Sequence, residues 1–99
     1  GDLHRKVNGV AAILENKNIR QGDRVIIQCR KSPEQIAAII AVVMCGGVYV
    51  PVSYDQPLTR TKEIFKSSVA KCIISDISYD KFDDLSEYII DIYCDSKRI

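Results

Sequence analysis

The chain has 99 residues, 46% hydrophobic and 27% charged, with a formal net charge of +1. That length supports one small core or a piece of a larger one, and it buries only about two-thirds of the unfolded surface. The near-zero charge and 7% aromatic content exclude an electrostatic case for nucleic acid or an anionic membrane.

Leu3, Val7, Val10 and Leu14 recur at steps of four, three and four, which predicts one face of an amphipathic helix ending near Asn16–Asn18. Gln21-Gly22-Asp23 then reads as a turn. Arg24–Cys29 is short and β-branched, a strand buried on both faces along Val25–Ile27. Ser32 is suited to cap a helix that opens at Pro33, and Gln35 stands at capping-box spacing. The helix Pro33–Cys45 is apolar almost all round from Ile36, which predicts burial on more than one side. Gly46-Gly47 stops it, one of the pair in the left-handed region.

Val48–Val52 reads as a second strand, and Pro51 places it at an edge or strand end because proline cannot donate to a ladder. After a loop at Ser53–Gln56, Pro57 opens a third helix to about Ser68. Lys71–Ser75 and Tyr88–Tyr93 are predicted strands, with a turn of helix around Lys81–Leu85 between them. Strands alternating with helices imply parallel pairing through right-handed crossovers. The expected fold is therefore three-layer α/β, a mostly parallel sheet flanked by helices.

No apolar run approaches the roughly 20 residues needed to span a membrane, and the N-terminus lacks a signal-peptide core. Cys29, Cys45, Cys72 and Cys94 are widely spaced without Cys-x-x-Cys, which reads as free thiols in a reducing cytoplasm. Cys45 and Cys72 are expected to be buried and inert, and Cys94 to be the exposed thiol. His4, the only histidine, falls on a charged helix face with no partner for a triad or zinc site. The acidic cluster Asp80, Asp83, Asp84 and Glu87 lacks calcium-loop spacing and reads as a solvated stretch. Gly46-Gly47 is not a phosphate cradle, since such a loop follows a strand and opens a helix, whereas this pair ends a helix and enters a strand.

Three segments carry a family resemblance. Gly22-Asp23-Arg24-Val25 follows the first helix. Ser32-Pro33-Glu34 opens the apolar helix. Gly46-Gly47-Val48-Tyr49-Val50-Pro51 is followed by Pro57 and Arg60 in a Pro-x-x-Arg pattern. Together they resemble the start of an adenylation domain of the adenylate-forming superfamily, closest to the amino-acid-activating domains of nonribosomal peptide synthetases. The Gly-Gly-x-Tyr-Val-Pro segment is the specific part. Val52-Ser53-Tyr54 stands where the family usually has Leu-Asp-Pro, and Met44-Cys45 where it has Lys-Ala. The variant Val-Ser-x-Asp-Gln-Pro resembles domains of siderophore synthetases that activate cysteine or a related residue.

The resemblance implies that residues 1–99 are the N-terminal fragment of such a domain, part of its large N-terminal lobe. The phosphate loop, adenine segment, ribose-binding aspartate and catalytic lysine of the family have no match here. No residue of this chain is therefore expected to be catalytic or to bind a cofactor or metal. Gly22, Asp23, Gly46, Gly47, Tyr49, Pro51, Pro57 and Arg60 are expected to be structural, with Tyr49 and Pro51 in packing and Arg60 pairing or capping near the loop before its helix. For the complete parent the resemblance implies ATP, Mg2+ and a carrier-protein phosphopantetheine as cofactors. Its partners would be the remainder of the domain and the carrier protein, and the isolated fragment is expected to self-associate. Two alternatives stay open: a fragment of an acyl- or aryl-CoA ligase, and a free-standing α/β interaction module.

Overall fold

The computed structural model describes residues 1–76 and 88–91. Helix α1 runs over Asp2–Asn16 and β1 over Arg24–Gln28. Helix α2 is Pro33–Met44, β2 is Val48–Pro51 and α3 is Leu58–Ser68. Strands β3, Cys72–Ser75, and β4, Ile89–Asp91, complete the sheet. The order is β2-β1-β3-β4, with every pairing parallel. The path steps from β1 outward to β2, then crosses back over β1 to β3, so the helices cover both faces.

Alternation along the strands sorts the core into two halves. Val25, Ile27, Cys72, Ile74 and Ile90 face α1 and α2, packing with Val7, Val10, Leu14, Ala37, Ala38, Ala41 and Val42. Ile26, Ile73 and Val52 pack on the other face with Ala70, Ile64 and Phe65 from α3 and its end. Three layers result, as the alternation of elements requires.

The caps explain where α2 and α3 begin and end. Ser32 adopts an extended backbone and its Oγ accepts the backbone N–H of Gln35 at 3.1 Å. The Gln35 side chain does not close the capping box; its Nε2 donates to the Cys29 carbonyl at 3.2 Å instead. Pro57 is the cap of α3 rather than its first residue. Helix α3 ends at Val69, which holds φ 56° and ψ 39°, a left-handed conformation that is costly for a β-branched side chain.

The expectation that α2 is buried on more than one side is corrected within this chain. Ala37, Ala38, Ala41 and Val42 turn inward, whereas Ile36, Ile40, Val43 and Met44 remain exposed. Among the described residues, only α1 and the sheet are available to cover a helix that is apolar all round. Cys45 is likewise half-buried rather than buried, while Cys72 is buried. The predicted turn at Lys81–Leu85, the acidic cluster and Cys94 lie outside the described residues.

Candidate functional site

Four of the motif residues, Gly22, Asp23, Gly46 and Gly47, meet at the amino end of the sheet. Gly22, at φ 87°, donates its N–H to the Gly46 carbonyl at 2.9 Å. Val48 donates to the Asp23 carbonyl at 2.8 Å. Two segments more than twenty residues apart are thereby spliced, and the splice sets the β1–β2 register Arg24↔Val48. Gly46 is held at φ 81°, and a Cβ there would lie 3.2 Å from the Gln21 Cα. A Cβ on Gly47 would lie 3.1 Å from Val42 Cγ1 and 3.2 Å from the Asp23 carbonyl oxygen. The pair therefore closes on protein from both sides.

Asp23 ties this corner to two further elements. Its Oδ2 accepts the Arg20 N–H at 2.7 Å and lies 3.1 Å from Lys71 Nζ. The Arg20 hydrogen bond first, then Lys71, holds the carboxyl below its ordinary value. Lys71 also donates to the Asn18 carbonyl, so α1, β1 and the approach to β3 converge there.

Tyr49 and Pro51 do not pack in this chain; both are exposed on the edge strand β2. The reason lies in the ladder. Val48 and Val52 point their N–H groups at β1, so the alternate residues Tyr49 and Pro51 turn theirs outward, where the missing N–H of Pro51 costs nothing. The guanidinium of Arg60 pairs with Glu63 of its own helix at 3.0 Å, and its backbone N–H donates to the Pro57 carbonyl at 3.0 Å.

A second constellation, at the carboxyl ends of the strands, has no signature in the sequence. Gln28 is fully buried. Its Nε2 donates to the Ser53 and Gln56 carbonyls at 3.2 and 3.3 Å, and its Oε1 accepts from Thr61 Oγ1 at 2.9 Å. This clamp joins β1 to α3 and shapes the loop between β2 and α3, within which Ser53 hydrogen-bonds Asp55. The one signal is a polar residue in an otherwise apolar strand. Beside the clamp, Arg30 donates from N and Nε to Asp76 Oδ2 at 3.1 and 3.3 Å. The Arg30 guanidinium also lies 5.1 Å from the Tyr54 ring centre. Arg30 follows β1 and Asp76 follows β3, the adjacent strands whose connections leave in opposite directions. Open α/β sheets usually receive ligands in that crevice, and here an ion pair bridges it.

Neither constellation fits a nucleotide. The glycine pair is filled by Gln21, Val42 and Asp23, and the crevice presents a buried carboxylate, Asp76, to any incoming phosphate. His4 is exposed on α1. Among the described residues no group of three His, Cys, Asp or Glu side chains is placed to hold a metal ion. No described helix is long and apolar enough to cross a membrane.

The arrangement defines a doubly wound parallel α/β unit in which Gly22-Asp23 and Gly46-Gly47-Val48 join β1 to β2. The family model for AMP-binding enzymes matches residues 1–95, and the chain belongs to that family. Bacitracin synthase 1 of Bacillus licheniformis is 34% identical over 97 residues, 98% of this chain and 2% of that protein. A plipastatin synthase of Bacillus subtilis is 28% identical over 99 residues, 99% of this chain and 4% of that protein. The Klebsiella oxytoca NpsA N-terminal subdomain in complex with 3-hydroxybenzoyl-AMSN superposes with a TM-score of 0.78 at 25% identity, over 96% of this chain and 24% of that one. The chain thus spans a few percent of these synthases and about a quarter of the solved subdomain.

Proposed function

We propose that these residues are scaffold within an amino-acid-activating adenylation domain of a nonribosomal peptide synthetase, with residues 1–99 forming the N-terminal part of that domain. The complete domain condenses a substrate carboxylate with ATP to an acyl-adenylate and pyrophosphate, with Mg2+, and passes the acyl group to a carrier-protein thiol in the cytoplasm. Catalysis would then reside in segments other than these, and Gly22, Asp23, Gly46 and Gly47 would hold the sheet on which those segments are built. The splice of Gly22-Asp23 to Gly46-Gly47-Val48 is the observation that supports this reading, since these contacts are between backbone segments of the fold. The carrier-protein partner is supported by the solved fusion of NpsA with ThdA, described as an adenylation–PCP di-domain.

A second substrate reading is favoured by one observation. The NpsA subdomain was solved with anthranilyl-AMSN as well as the 3-hydroxybenzoyl compound, so an aryl acid stands beside an amino acid, as in an aryl-activating ligase. Carboxylate-dependent ATP–pyrophosphate exchange by the complete polypeptide, run with cysteine and the other amino acids against aryl acids, separates them. Exchange with an amino acid supports the proposal, exchange with aryl acids alone supports the second reading, and no exchange with either overturns both. The 99-residue chain alone is expected to give no exchange.

A further inference from the structure

We draw no further inference here: the strongest candidate, the crevice at the carboxyl ends of β1 and β3, where the buried Asp76 holds Arg30 through Oδ2 and leaves Oδ1 without a hydrogen-bond partner, carries nothing because it borders residues 77–87, outside the described ones, and nothing in the structure shows what meets that oxygen.

Discussion

The backbone N–H of Gly22 donates to the carbonyl of Gly46 at 2.9 Å, across the turn before β1 and the turn before β2. Both glycines hold positive φ, 87° and 81°. Beside them, a Cβ on Gly47 would crowd Val42 and Asp23, at 3.1 and 3.2 Å. One hydrogen bond thus joins the two segments, and both ends hold a backbone conformation that favours glycine.

The three glycines separate strain from crowding. Gly22→Ala meets open space and carries only the left-handed cost, about 1 kcal/mol. Gly46→Ala adds contact with the Gln21 backbone and is expected to cost about 2 kcal/mol. Gly47→Ala is crowded without positive φ and should fall between them. Urea denaturation of the three variants gives the order; equal costs would remove the packing argument.

Val69 is the opposite case, a β-branched residue at the left-handed end of α3, 75% exposed. Val69→Gly relieves the strain and is expected to raise stability by about 1 kcal/mol. A lowered thermal midpoint would show that the side chain contributes more than its backbone costs.

Gln28 and Thr61 are coupled by the 2.9 Å hydrogen bond inside the clamp. Gln28→Leu leaves the Ser53 and Gln56 carbonyls and the Thr61 hydroxyl short of partners, at about 2–3 kcal/mol. The double variant Gln28→Leu/Thr61→Val should cost less than the sum of the single changes by about 1 kcal/mol. Additive losses in a denaturation cycle would mean that the two side chains act independently.

Asp23 sets an acid limb. Its folded carboxyl lies below the ordinary value of 3.8, chiefly through the Arg20 N–H and then Lys71. Its contribution is complete above the unfolded value and is lost as pH falls through the lower folded one. Asp23→Asn should flatten the fall in stability below about pH 4. An unchanged acid limb would assign it to other carboxylates.

The buried thiol predicts selective labelling. Burial pushes Cys72 up to about 12, so it carries almost no thiolate at pH 8. Iodoacetamide footprinting of the native chain should leave Cys72 unmodified until urea is added. Cys45 is half-buried, and partial burial followed by the Glu15 charge raises its thiol as well; it should react slowly. Rapid native labelling of Cys72 would contradict the packing of β3 against α1 and α2.

Local rules in the sequence determined most of the fold. The four-three-four spacing from Leu3 to Leu14 specified α1, Ser32-Pro33 the start of α2, the Gly46-Gly47 pair its stop, and Pro51 an edge or end position for β2. Each is a constraint on backbone or periodicity satisfied within a few residues, and the alternation of elements then leaves few ways to order a parallel sheet. The tertiary structure alone decided which side chains meet. Gln28 finds Thr61 thirty-three residues away and Arg30 finds Asp76 forty-six away. Those pairings exist only once β1, β3 and α3 lie side by side, so no local pattern announces them. The bare face of α2 has the same origin. Uniform apolarity from Ile36 onward says that the helix seeks cover all round, but only the packed layers decide that Ala37, Ala38, Ala41 and Val42 receive it while Val43 and Met44 do not.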